Sequence, residues 1–429
     1  MINQTKYLLA AHIGGTKVRV GLVKPRKTTD ESPENKPDII YKNRYSIGEF
    51  SDPFPLFDKF IKECEKEPKL HLPIKLEKAC IAVAGPVENN ICKMSNWNWE
   101  IDGNSLAEKL SISPENIQLI NDFEAVAYGV KQLKSKDFHI LQEGKDQENK
   151  PIAVIGAATG MGQSFLIQSS DADEKEICAY ATEGGHTNFA PRSHLEFALW
   201  QYMLNNIRDE KGNLLKDDSK HISVERVVSG RGIVAIYRFL QDCQNNPDKS
   251  HWFQELPENS KNVIQKGRKD AQNQLTATKE KNNQTISEEE DEEIKKIINN
   301  WIREDERCRE NLDPAAVIAS AALKKSDPLC IYTMQIFLQI YGAELGNSAL
   351  QFLPYGGLYM AGGITPQILP LIEEEKDEIL KAFSNKGCLS EELVSKELAK
   401  IPLYVLKNLE AGLMGAAYYA EHKINTNIV

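Results

Sequence analysis

Twice along this chain an apolar, β-rich run stops at a turn of small residues and resumes as a second apolar run. The first case is YLLAAHI, GGTK, VRVGLV over residues 7–23, and the second is IAVIGA, ATG, MGQSFLI over residues 152–167. Two such runs joined by a short glycine-bearing turn form a β-hairpin. Two copies of one strand–turn–strand unit, far apart in sequence, predict two related halves rather than a tandem array. A chain of 429 residues can build both halves with cores of their own.

The rest of the chain extends that pattern. Residues 79–85 (ACIAVAG) are almost wholly apolar and predict a buried strand, and residues 117–121 (IQLIN) predict another. Helical spacing follows over 123–134, so Asn121-Asp122 falls where a strand ends and a helix begins. In open α/β sheets that edge is where ligands bind. Residues 328–351 predict a long apolar helix, YGGLYMAGGITP (355–366) a glycine-rich strand and turn, and IPLYV (401–405) a last strand. LEAGLMGAAYYAE (409–421) begins a closing helix expected to pack back on the N-terminal half. The polar stretch 24–37 predicts a loop, and 244–300 an insertion with a solvated acidic block at 287–293. Ile294, Ile297, Ile298, Trp301 and Ile302 share one helical face at its end.

Several function classes fall away. The net charge of −10 disfavours a nucleic-acid footprint, which needs a basic surface. No apolar run approaches the roughly 20 residues that span a bilayer. The N-terminal apolar stretch is too short for a signal peptide and runs directly into a glycine turn. The eight cysteines form no CxxC pair, which predicts free thiols in a reducing, cytoplasmic setting. No GxxxxGK[ST] occurs, so a P-loop is excluded.

The turns carry the chemistry. Gly14-Gly15-Thr16 and the segment Ala158, Thr159, Gly160 and Gly162 let main-chain amides approach an anion with no Cβ in the way. Each is also compatible with a plain hairpin. Gly362-Gly363 in the third glycine cluster suits close approach to a flat base or ribose, and equally plain turn geometry. Asp122 is a candidate base for phosphoryl transfer to a hydroxyl, with Asn121 offering a donor and an acceptor beside it. The same pair would also serve as a helix N-cap. Glu183 and His186 bracket two glycines and present a carboxylate and an imidazole from one tight turn, as adjacent sugar hydroxyls require. Glu225 is a further carboxylate near a helix. No second His or Cys at ligand spacing supports zinc at His186.

These segments, in this order, resemble the bacterial-type glucokinases of the hexokinase–actin–Hsp70 ATPase superfamily. The matching motifs include HIGGTKVRVGLV (12–23), AVAGPV (82–87), SNWNWEID (95–102), LINDFEAVAYG (119–129), IGAATGMGQSFLI (155–167), EGGHTNFAPRS (183–193), HISVERVVSGRGIVAIYR (221–238) and GGLYMAGGITP (356–366). The resemblance implies an α/β, two-domain actin-like (ribonuclease H-like) fold with mixed sheets flanked by helices and the active site between the domains. The small domain would span 1–122, with helix 412–429 packing on it, and the large domain 123–411. It implies ATP-dependent phosphorylation of the glucose 6-hydroxyl, the first step of glycolysis, with Asp122 as base. Glucose would be held by Asn121, Asp122, Glu183, His186 and Glu225. ATP phosphates would meet Gly14, Gly15, Thr16, Ala158, Thr159, Gly160 and Gly162, with Gly362 and Gly363 by the adenosine. Mg²⁺ would accompany ATP without a full protein cage, and the family suggests a homodimer. One departure stands out: His12 replaces the family's usual Asp, and a neutral imidazole cannot orient Mg²⁺ through water as a carboxylate does. That leaves two other readings beside an active glucose kinase: a kinase for mannose or glucosamine, and a glucose-binding sensor with weak turnover.

Overall fold

The computed structural model of the chain describes residues 6–26, 36–94, 97–145, 147, 149–168, 176–206, 221–245, 261–262, 264–267, 269–273, 313–387 and 391–424. Most of the expected insertion at 244–300, its acidic block and the helical face from Ile294 lie outside these residues.

The first half forms β1 (Lys6–Ile13), β2 (Lys17–Lys24), β3 (Asp38–Ser46), α1 (Pro53–Cys64), β4 (Lys75–Val83), β5 (Val87–Glu88), β6 (Ile91–Lys93), β7 (Glu100–Asp102), α2 (Gly103–Leu110) and β8 (Ile117–Asn121). Helix α3 (Asp122–Val130) leads to β9 (Phe138–Gln142), β10 (Ile152–Ala157), β11 (Met161–Gln168) and β12 (Ile177–Thr182). Next come α4 (His194–Asn206), α5 (Gly230–Asn245), α6 (Pro314–Leu323), α7 (Pro328–Phe352) and β13 (Leu358–Ala361). The described chain closes with α8 (Leu369–Glu374), α9 (Lys376–Ser384), α10 (Glu391–Leu398), β14 (Leu403–Leu406) and α11 (Ala411–His422).

The two hairpins seed two sheets of the same design. The first sheet has the order β3-β2-β1-β4-β8, and the second β12-β11-β10-β13-β14, with β9 added at its edge. In each, the hairpin strands pair antiparallel and the next two strands join parallel. The central strand β10 is buried at every position, which is why it reads as a continuous apolar run. β2 instead alternates: Val18, Val20 and Leu22 enter the first core, while Arg19 between them takes the other face.

Helices α3 and α11 lie between the sheets. Leu413, Ala416, Ala417 and Ala420 pack with Leu8, Ala10, Cys80 and Ala82 of the first sheet. Val126, Ala127 and Tyr418 pack with Ile152, Val154 and Leu166 of the second. The two helices cross so closely that a Cβ on Gly129 would lie 1.9 Å from the Ala411 carbonyl oxygen, and one on Gly415 1.7 Å from that of Ala125. α3 ends at Val130, four residues before the expected end, because Gln132 and Leu133 donate turn bonds to Gly129 and Val130. Among the described residues, no helix is long and apolar enough to cross a membrane.

Candidate active site

The N-terminal ends of α3 and α11 and the two hairpin turns open onto one cleft of about 1570 Å³. Its wall includes Gly14, Gly15, Thr16, Asp122, Ala158, Thr159, Gly362 and Gly363. Of the expected site residues, Asn121, Gly160, Gly162, Glu183, His186 and Glu225 are not part of that wall.

β8 delivers Asp122 to the cleft as the first residue of α3. Burial is the main force on its carboxyl and pushes it up to about 7, opposed by the Phe123 amide and reinforced by the nearby Glu183 charge. Glu124, two residues on in the same first turn, is also pushed up to about 7 by burial. Asn121 is fully engaged as the helix cap: its Oδ1 accepts from the amides of Phe123 at 2.8 Å and Glu124 at 3.4 Å, and its Nδ2 donates to the Gly85 carbonyl at 3.1 Å. The cap accounts for the Oδ1 end of the Asn121 side chain, and the Nδ2 end is tied to Gly85.

Glu183 and His186 stand on the rim, their side chains 68% and 63% exposed and 3.5 Å apart. Gly184 and Gly185 make this turn possible. A Cβ on Gly185 would meet the Met161 carbonyl oxygen at 2.4 Å, so the turn leans directly on the second hairpin. Val224 donates to the Thr187 carbonyl at 2.9 Å and Phe189 to that of Ile222 at 2.8 Å, which laces the loop to the segment bearing Glu225. The Glu225 carboxylate accepts from the Met161 amide at 2.9 Å and fills the space beside Gly160. Glu183, His186 and Glu225 thus share one lip of the molecule, and Glu225 braces the second turn.

The glycines have separate jobs. Gly362 has φ +89°, and a Cβ there would lie 2.2 Å from the Ala157 carbonyl oxygen, so only glycine fits. Gly363 faces open space. Gly162 is missing a side chain for another reason than an approaching phosphate: a Cβ would enter the Phe123 ring at 2.0 Å. The amides of Gly15 and Thr16 donate to no protein group among the described residues. The carbonyl of Gly15 accepts from Trp97 Nε1 at 2.7 Å, and that of Thr16 from the Ile47 amide at 3.2 Å. The Gly14 amide closes the turn on the Lys17 carbonyl at 3.1 Å, and the Gly15 and Thr16 N–H groups are left free, the polarity an anion needs.

The profile of the family described as Glucokinase matches residues 9–285 and 294–423. The chain is 40% identical over 413 residues to a glucokinase of Nostoc sp., spanning 96% of this chain and 98% of that protein. It is 36% identical over 414 residues to a glucokinase of Synechocystis sp., spanning 96% and 97%. The chain belongs to the glucokinase family. Its reaction is the ATP-dependent phosphorylation of glucose. Solved structures share its fold: a glucokinase from Balamuthia mandrillaris in complex with glucose has a TM-score of 0.65 at 17% identity, covering 97% of this chain and 94% of that one. A glucokinase from an Antarctic psychrotroph has a TM-score of 0.61 at 23% identity, covering 97% and 98%.

Within this glucokinase-family site, several cleft residues escaped the sequence reading. Arg19 pairs with His12 across β1 and β2, and Arg44 pairs with Arg19 across β2 and β3, so the three form a row along the cleft. Burial, then the Arg44 charge, lowers the Arg19 pKa, and neither guanidinium has a carboxylate at ion-pair distance among the described residues. Alternation along β2 carried this signal, because Arg19 is the polar member of an otherwise apolar strand. Trp97 lay in a quoted motif without a role. His12 is pushed down to about 4 by burial and by Arg19, so its ring is neutral, with Nδ1 buried and unpartnered. A polyphosphate fits this wall, which offers free amides and cations. For a divalent cation the wall offers the carboxylates of Asp122 and Asp313, while position 12 offers a neutral ring beside a guanidinium.

Proposed function

We propose that Asp122 is the general base that takes the proton of the glucose 6-hydroxyl as the terminal phosphoryl group of ATP is transferred. The observation that carries this reading is that Asp122, at the end of a sheet strand, lines the same cleft as both glycine turns. A carboxyl poised near 7 is half ionised at neutral pH and still basic enough to accept a proton. The amides of Gly15 and Thr16, with Ala158, Thr159 and Gly160 opposite, receive the phosphates, and Gly362-Gly363 the adenosine. Glu183 and His186 bind hexose hydroxyls from the rim, and Glu225 acts from beside the second turn. Asn121 contributes by fixing the start of α3.

The chain reads as a small lobe (1–122, with the helix from 412) and a large lobe (123–411) that close on the hexose and bring the rim side chains inward. Mg²⁺ would accompany the ATP phosphates, keeping water ligands, and would supply neutralisation of their charge. The protein's own cations, Arg19 and Arg44, face the same charge. We read the enzyme as cytoplasmic, glycolytic and homodimeric, with glucose and ATP as its substrates. A coupled ADP-release assay over glucose, mannose and glucosamine tests the reading. Glucose is expected to give the highest kcat/KM, and sugar binding without ADP release would instead establish a sensor.

A further inference from the structure

A second pocket, of about 350 Å³, shares no wall residue with the cleft. It lies behind the 183–193 loop, floored by Phe189 and Ile340 and lined by Glu344, Asn347, Asn385 and Lys386. Its volume falls at the lower end of the range of ~300–1,000 Å³ typical of small-molecule sites.

The lining has the chemistry of a binding site. The Lys386 ammonium is half-buried and donates only to neutral acceptors, the Ala343 carbonyl at 2.7 Å and Asn347 Oδ1 at 2.9 Å. No carboxylate lies at ion-pair distance among the described residues. Burial, and Arg192 nearby, bring it down to about 8, although the Glu344 charge across the pocket acts in the opposite direction. Arg192 itself is forked onto Glu196. Glu344 is buried, is raised above the usual carboxylate range by that burial, and has one oxygen held by Asn347 Nδ2 at 3.0 Å. A half-buried cation in direct contact with neutral acceptors only, beside a carboxylate, two carboxamides and the apolar Phe189 and Ile340, matches a ligand that carries both an anionic group and hydroxyls.

The pocket is wired to the hexose loop at both ends. Glu344 and Asn347 share α7 with Ser348, whose Oγ accepts from buried Gln163 Nε2 at 2.7 Å. Gln163 Oε1 accepts from Thr182 Oγ1 at 3.3 Å, and Thr182 Oγ1 accepts from the Gly184 amide at 3.3 Å. At the other end, Phe189 and Val224 form part of the pocket, and Val224 precedes Glu225.

We propose that this pocket is a second ligand site for a hydroxylated organic anion of monosaccharide size, a sugar acid or a sugar phosphate, whose binding changes the affinity of the 183–186 loop for hexose. The anionic group faces Lys386 and the hydroxyls face Glu344, Asn347 and Asn385. The coupling, though not the binding, rests on the reading of that loop as hexose-binding.

Calorimetric titration of the full chain with gluconate and with sorbitol 6-phosphate tests the site, with sorbitol and inorganic phosphate as the neutral and bare-anion arms. At least one organic anion should bind, more than about tenfold tighter than either control. It should shift the glucose KM about fivefold or more while leaving the ATP KM unchanged. Lys386→Met should abolish that binding and leave basal turnover intact, and the near-isosteric Glu344→Gln should weaken it if the first variant fails to fold. No binding of either anion, competition with ATP, or undiminished binding in a folded variant overturns the site. Binding lost in Lys386→Met with no shift in glucose KM overturns the coupling. Glu183→Gln distinguishes the two readings: an unchanged glucose KM in that variant sinks the hexose-loop assignment and leaves the binding result standing.

Discussion

The two hairpins are the same unit put to different use. In each, an antiparallel pair is extended by two parallel strands in the same order. Just before the turn, the first hairpin pairs His12 with Arg19, and the second pairs Gly156 with Gly162. The first thus presents polar side chains to the cleft. The second clears space for the Phe123 ring, which follows directly on the candidate base. The turns differ likewise. The first keeps its Gly15 and Thr16 amides free, whereas the second is braced by Glu225 through the Met161 amide and by Gly230, which donates to the Ala158 carbonyl at 2.9 Å. A repeated fold fixes where two turns face each other. The residues behind each turn decide that one leaves two main-chain N–H groups open to the cleft and the other is tied to Glu225 and Gly230.

Substitutions can break that contrast. The largest effect is expected at the base: Asp122→Asn should lower kcat by about 10²–10⁴-fold with ATP binding near normal, read by steady-state kinetics and nucleotide titration. Next is the pH profile. If Asp122 must be ionised, kcat/KM for glucose should fall as pH drops through about 7, approaching tenfold per pH unit well below it. The sign for stability is the reverse. Asp122 and Glu124 are both raised above their unfolded values, so the native state holds more protons, and stability from these groups is lost as pH rises towards 7. Chemical denaturation across that window reads it, and Glu124→Gln should flatten the slope while keeping the activity limb.

The glycines give a paired test. Gly162→Ala forces the Phe123 ring aside and should cost about 1–3 kcal/mol of stability together with activity. Gly14→Ala, whose Cβ would find nothing closer than 3.5 Å, should leave stability within about 0.5 kcal/mol. Equal losses at both positions would erase the distinction between the open turn and the braced one. The smallest effect is expected at His12→Asp, which restores a carboxylate beside Arg19. A severalfold lower Mg²⁺ requirement would show that the position acts on the metal, and no change would remove it from the chemistry.

Much of this was legible in the sequence because strand period and turn chemistry are local. Both hairpins, the strand end at Asn121-Asp122 and the long helix α7 follow from runs and glycines alone. The closing helix packs on the N-terminal sheet, and its close crossing with α3 depends on Gly129 and Gly415, a contact that no periodicity encodes. Gly162 read as a phosphate contact because a missing side chain looks the same whether an anion or an aromatic ring takes the space. Asn121 read as either a sugar ligand or a helix cap, and here its Oδ1 caps α3 while its Nδ2 donates to Gly85. Arg19 was legible as a polar position within β2, but its pairing with Arg44 and the pocket around Lys386 were not, because each joins residues from separate strands or helices.

The most direct test is a crystal structure of the chain with glucose bound. The Asp122 carboxylate should lie within about 2.6–3.2 Å of the 6-hydroxyl oxygen, with Glu183 and His186 turned in on the same sugar. A carboxylate directed away from that hydroxyl, or a hexose bound away from the 183–186 turn, would contradict the account.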